Sequence, residues 1–179
     1  YMGSGEFRND QFGFMWDIVY LNLGASASFG NRINGGVELG YKLSMSTFAG
    51  SYRFHQTASS YADVFIGARF HNVDLSLDLS VGPLAANRSA GGSWVDPVIG
   101  VKGKHSFTEN WFVKGSALYG GFGVGSDHMY DISGFAGYET AKGTEIYAGW
   151  RIADTDYSSS DFTWDVKFSG PMLGFTFKF

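Results

Sequence analysis

At 179 residues, with 26 glycines, 18% aromatics and only 3 prolines, the chain has room for one domain, spanning 1–179, and a composition that favours strands over helices. A net charge of −4 without a basic cluster argues against nucleic acid as a partner, and the lack of cysteine removes disulfides and thiolate metal sites. No apolar run is long enough for a membrane-spanning helix; a mean hydropathy of −0.08 still suits a membrane barrel, whose strands present lipid at only every second residue.

The start, YMGSGEFRND, lacks a secretory signal pattern, as expected of a mature, trimmed or partial chain. MGSGEFRN reads as a short strand, with residues 1–8 a partial addition to a barrel, followed by a turn at Asn9-Asp10. Alternation at a period of two then marks one strand after another. Phe14, Trp16, Ile18 and Tyr20 oppose Met15, Asp17 and Val19. In GVELGYKLSMST, Val37, Leu39, Tyr41, Leu43 and Met45 oppose Glu38, Gly40, Lys42, Ser44 and Ser46. Val64, Ile66, Ala68 and Phe70 oppose Phe65, Gly67, Arg69 and His71; Val95, Pro97, Ile99 and Val101 oppose Asp96, Gly100, Lys102 and Lys104. Trp111, Val113, Ala117 and Tyr119 oppose Lys114, Ser116 and Gly120. Tyr130, Ile132, Ala136 and Tyr138 oppose Asp131, Ser133 and Glu139, while Ile146, Ala148, Trp150 and Ile152 oppose Glu145, Gly149 and Arg151. Trp164, Val166 and Phe168 oppose Asp165 and Lys167, and the chain closes on Phe175, Phe177 and Phe179.

The parity of the apolar set flips twice, once in VDLSLDLSV and once at Gly170-Pro171, which predicts bulges near Asn72 and Gly170. Connections alternate in length: QTASSYAD, HSFTEN and TAKGT are short, whereas LGASASFGNRING, SVGPLAANRSAGGS, GVGSDHM and DTDYSSSD read as longer loops rich in Gly, Ser and Asn. The pattern predicts an all-β, antiparallel, up-and-down transmembrane β-barrel of about eight strands plus the short N-terminal one, with the long loops outside the cell. Even strand numbers are the rule for bacterial barrels, so either residues 1–8 lie outside the wall or a further strand belongs to the complete protein.

If the apolar face meets lipid, the opposite face fills the lumen. It carries Asp17, Glu38, Lys42, Arg69, Asp96, Lys102, Lys114, Glu139, Arg151, Asp165 and Lys167, both signs in similar number, and cross-lumen ion pairs are expected because an unpaired buried charge is costly. The network reads as a plug that ties the strands together or as a polar path. Trp16, Trp94, Trp111, Trp150, Trp164, Tyr20, Tyr41, Tyr119, Tyr130, Tyr138 and Tyr157 are expected in interfacial girdles.

The segments SWVDPVIGVKGKHSFTENWFVKGSALYGGFGVGSD, AGWRIADTDY and FSGPMLGFTFKF resemble a family of Gram-negative outer-membrane β-barrel proteins that carry a WVDPxxG strand, a GGFGVGSD strand end and a GPxxGxxFxF terminus. FGFMWDIVYLNLG is similar to that family's lipid-facing strand, so the likeness covers nearly the whole chain. The resemblance implies eight to ten strands in the complete protein and a bacterial outer-membrane location, and it supplies no catalytic residues or cofactor. It also implies that Phe175, Phe177 and Phe179 face lipid and resemble the assembly signal read by the outer-membrane insertion machinery. The partners it implies are the bilayer with its lipopolysaccharide, and it leaves an oligomer or larger complex open.

Other motifs carry less. GGFGVGSD matches neither phosphate-loop spacing and precedes no helix. Ser126, Asp127 and His128 supply hydrolase residue types, but neighbours on a strand point to opposite faces. DTDYSSSD, with Asp154, Asp156 and Asp161, lacks the glycine and glutamate of a calcium loop, and His55, His71, His105 and His128 are scattered without ligand spacing. A non-enzymatic membrane barrel, structural or a narrow passive conduit for small solutes, is the expected function; a lipid-modifying outer-membrane enzyme and a soluble lipocalin-like binder are the alternatives.

Overall fold

The structure is a computed structural model that describes residues 1–29, 35–81, 83–141, 143–160 and 162–178. Among these residues, alternating side chains give nine strands: Met2–Asn9 (β1), Phe12–Phe29 (β2), Gly35–Gln56 (β3), Ser60–Val81 (β4), Leu84–Ser106 (β5), Trp111–Gly120 (β6), His128–Glu139 (β7), Glu145–Ser158 (β8) and Thr163–Thr176 (β9). They form one antiparallel sheet in the order β1 to β9, each strand paired with its sequence neighbours. The β1–β2 turn places Asp10 at φ 50°, a left-handed conformation that aspartate tolerates better than most residues.

The sheet curls until opposite walls touch. Arg151 on β8 reaches Asp17 on β2 at 3.1 Å, and Tyr41 on β3 stacks on Trp164 of β9 with centroids 5.8 Å apart. Close approach of rings to the wall requires glycine at several inward positions: a Cβ at Gly100 would overlap the Phe65 ring, and one at Gly137 the Phe112 ring. Strands β1 and β9, which run in the same direction, are not neighbours in the hydrogen-bonded order, and no Cα of one lies within 8 Å of the other. A cavity of about 220 Å³ lies at this seam, between Met2, Val19 and Met45 on one side and Arg151, Phe168 and Met172 on the other.

The expected bulges are absent. Asn72 pairs with Ser44 and Gly170 with Arg151 in unbroken registers; the one shift in the β3–β4 ladder falls between Arg53 and His55. What changes at Asn72 is the chemistry of the faces. On β4, Val64, Ile66, Ala68 and Phe70 share the outer face with Asn72, Asp74, Ser76 and Asp78, while Phe65, Arg69 and His71 share the inner face with Val73, Leu75 and Leu77. The same inversion runs across the sheet along Tyr20, Ser44, Asn72 and Ser93, which are register partners, and appears on β9 between Leu173 and Lys167. Below this line the sheet is apolar outside and charged inside; above it, polar outside and apolar inside.

Two of the expected long loops are strand as well. LGASASFGNRING and SVGPLAANRSAGGS supply the ends of β2, β3, β4 and β5, so these four strands rise above their neighbours as an extension; residues 30–34 and 82 lie outside the described residues.

Candidate functional site in the barrel interior

Of the charges expected inside, Asp17, Arg69, Asp96, Lys102, Lys114, Glu139 and Arg151 point inward. Glu38, Lys42, Asp165 and Lys167 do not: all four are exposed on the outer face above the inversion line, where a continuous pleat carries polar residues out into water. Alternation alone also identified Asp131 and Glu145 as facing inward without assigning them partners. Glu6, Arg8, Arg53, Asp63 and Lys178 were missed, since they sit at strand ends where alternation is too short to read.

Apart from Asp96, which lies near the mouth, the inward charges form three groups, one at the centre and two side by side toward the short turns. At the centre, Asp131 accepts from Arg151 at 2.6 and 2.9 Å and pairs with Arg69 at 2.9 Å, while Arg151 reaches Asp17 and Arg69 donates to the Thr47 hydroxyl at 2.7 Å. This chain links β2, β8, β7, β4 and β3. Toward the short turns, Asp63 accepts from Arg8 at 2.7 Å and Arg53 at 2.8 Å, and Glu6 joins Arg8 and, at 2.5 Å, Lys102. Beside it, Glu145 pairs with Lys104 at 2.7 Å and Lys114 at 3.0 Å, and Glu139 pairs with Lys104 and Lys178.

Glu145 lies at the short-turn end, just outside the apolar band. Burial there opposes its charge, but hydrogen bonds from Lys104 and Lys114 outweigh it and hold the pKa down at about 2. A carboxyl group whose folded pKa lies below its ordinary 4.5 stabilises the fold above that pH and loses the contribution as pH falls toward 2. The thermal midpoint of the protein is therefore expected to drop between pH 4.5 and 2. Glu145→Gln should drop less over the same window, and equal slopes in a pH series of melting curves would refute the assignment.

Above the charges the lumen closes over apolar side chains. Trp94, Trp164, Tyr41 and Tyr157, expected in the girdles, turn inward because they lie at or above the inversion line on the inner parity. His71 stacks on Trp94 at 4.8 Å, Trp94 on Tyr157 at 4.0 Å, and Phe162 on Trp164 at 6.2 Å. With Val19, Leu43, Met45 and Val73 these rings make one core joining β2, β3, β4, β5 and β9. Burial pushes the Tyr41 phenol up to about 12, and its hydroxyl has no hydrogen-bond partner among the described residues. Trp16, Trp111, Trp150, Tyr20, Tyr119, Tyr130 and Tyr138 keep the outward parity expected of them.

Ser126 is buried where the 121–127 connection folds into the mouth. Its hydroxyl donates to Asp96 at 2.7 Å and accepts from Trp94 Nε1 at 2.8 Å, and its backbone N–H donates to the same carboxylate at 2.6 Å. His71 Nε2 lies 3.2 Å from the carboxylate, outside hydrogen-bonding direction. A nucleophilic triad needs the imidazole between hydroxyl and carboxylate. Here the carboxylate sits between them, so no imidazole touches Ser126; Asp127 and His128 are exposed, with His128 3.9 Å from Asp156. The cluster anchors a loop. Asp154 and Asp156 face outward on β8, and Asp161 lies outside the described residues. Phe175 and Phe177 are exposed on the outer face, and Phe179 lies outside the described residues.

No family model, curated protein or solved structure matches this chain.

Proposed function

We propose that the chain is an integral β-barrel of the bacterial outer membrane that works without enzymatic chemistry, as a structural wall element or a narrow passive conduit for small solutes. The observation that carries the reading is the inversion line. An outer band of Val64 to Phe70, Val95 to Val101 and Ile146 to Ile152, matched by a charged interior, suits a sheet bathed in hydrocarbon below the line and in water above it. These apolar ranges are seven residues tall, and with the bounding aromatics the outward sets from Trp111 to Tyr119 and from Tyr130 to Tyr138 reach nine, close to what a tilted strand needs to cross a bilayer. Outward aromatics at its ends, such as Trp111 and Tyr138 at one edge and Tyr20, Tyr119 and Tyr130 at the other, fit interfacial girdles. Lipopolysaccharide is then the neighbour of the polar outer face above the line, and the insertion machinery the partner that reads the terminal phenylalanines.

The ion-pair groups and the aromatic core occupy the space between the walls, which favours a closed resting state. Planar-bilayer recording tests this: the protein should show no steady ion current, whereas Trp94→Gly combined with Trp164→Gly should admit one by removing two rings of the stack. A steady current through the unaltered protein would make it an open conduit. Folding into vesicles, read as heat-modifiable migration, should accompany either result, and a protein that stays monodisperse without detergent would point instead to a soluble lipocalin-like barrel.

A further inference from the structure

The core under the mouth is covered by the chain's own rings, but the extension above it is not. Pairing of β1 with β2 stops at Val19, and pairing of β6 with β5 starts only at Val98, so the four strands stand free on both sides above that level. Their inner face is a wall of aliphatic side chains. Leu39 faces Leu77 across β3 and β4, Val37 faces Leu79 in the row above, and Leu75 lies in the row below. Leu39 is 52% exposed and Leu79 39%, so the wall meets solvent. It measures roughly 14 Å across four strands and about 26 Å along them at ordinary strand spacings.

Among the described residues one charge stands on this wall. Arg88 is the cross-strand partner of Leu77 and shares its face. The carboxylates of the extension, Glu38, Asp74 and Asp78, project from the opposite face, and among the described residues Arg88 has no ion-pair partner. A lone guanidinium at the margin of a large apolar surface is the complement of a molecule that is apolar over most of its length and anionic at one end.

We propose that the inner wall of the β2–β5 extension binds a single-chain anionic amphiphile, an acyl chain laid along Leu39, Leu77 and Leu79 with its head group on Arg88. A second copy packed face to face would have to bury two unpaired guanidinium groups against aliphatic side chains, which burial of a charge disfavours. A peptide strand would satisfy the sheet's edges and leave the wall bare. The inference stands on the sheet itself, whether the band below meets lipid or water.

The test uses the full chain held in amphipol and cis-parinaric acid as fluorescent probe, with its methyl ester as the neutral counterpart. The acid should bind saturably, one per chain, and Arg88→Glu should weaken it at least tenfold while heat-modifiable migration stays unchanged. The ester should bind the unaltered protein about as weakly as the acid binds the variant. A maleimide should label Leu39→Cys, in a chain with no other thiol, and the acid should slow that labelling. Absence of saturable binding, equal affinity in Arg88→Glu, equal affinity for acid and ester, or a dimer that shields position 39 without ligand would each overturn the proposal.

Discussion

Asp131→Ala should destabilise the barrel by about 3–5 kcal/mol, the effect expected when one partner of a buried ionic network is removed. The carboxylate is the hinge of the central chain, holding Arg151 by two hydrogen bonds and Arg69 by a third contact, and the side chains of Arg69 and Asp131 are 4% and 6% exposed. Without it Arg69 keeps only the Thr47 hydroxyl, a neutral acceptor for a full charge in the middle of the lumen. Arg151 keeps Asp17, whose side chain is 25% exposed, so Asp17→Ala should cost much less, on the order of 1 kcal/mol. Urea titration of the folded barrel measures both. Equal effects would mean that the two carboxylates share one environment, and an effect within about 0.5 kcal/mol at Asp131 would mean that water reaches the centre of the lumen.

Ile66→Arg should cost about 2–4 kcal/mol, the usual penalty for arginine on the lipid face near mid-membrane. Ile66 lies in the middle of the outer band of β4 and is 69% exposed. On a water-bathed surface the same substitution would fall within about 0.5 kcal/mol of neutral, because an exposed isoleucine gives up little and an arginine is well solvated there. The position therefore separates the two solvents by the size of the effect. Asn72→Arg, three outward positions further up the same strand and past the inversion line, should be close to neutral in either case.

The strands themselves were plain in the sequence, since alternation fixes which residues share a face. It does not say which face is inside. Val64 to Phe70 and Val95 to Val101 point outward, as their opposition to Arg69, Asp96 and Lys102 suggested. Val37 to Met45 and Trp164 to Phe168 alternate just as clearly yet point inward, carrying Glu38, Lys42, Asp165 and Lys167 out with the opposite parity. A bulge and a change of surroundings leave the same trace in the sequence, a flip in the parity of the apolar set. Only the pairing of Asn72 with Ser44 and of Gly170 with Arg151, in register, separates them. The ion pairs were legible as a set of inward charges but not as partners: Asp17 meets Arg151 across 134 positions of sequence, a contact set by curl rather than by spacing. The aromatic stack was hidden for the same reason, its rings coming from β3, β4, β5, β8 and β9 and the turn between the last two. The wall around Arg88 lay in segments whose glycine, serine and asparagine content reads as loop, although their apolar residues keep a period of two.

The central claim, that the band below the inversion line faces hydrocarbon, is tested most directly by fluorescence quenching in vesicles of lipids brominated along the acyl chains. Two variants are needed, one keeping Trp150 and one keeping Trp164, with every other tryptophan replaced by phenylalanine. Trp150, 51% exposed on the outer band, should be strongly quenched, and Trp164, 6% exposed in the inner core, should not. Quenching of neither, with Trp150 instead open to a water-borne quencher such as iodide, would contradict the claim and leave a barrel that lives in water.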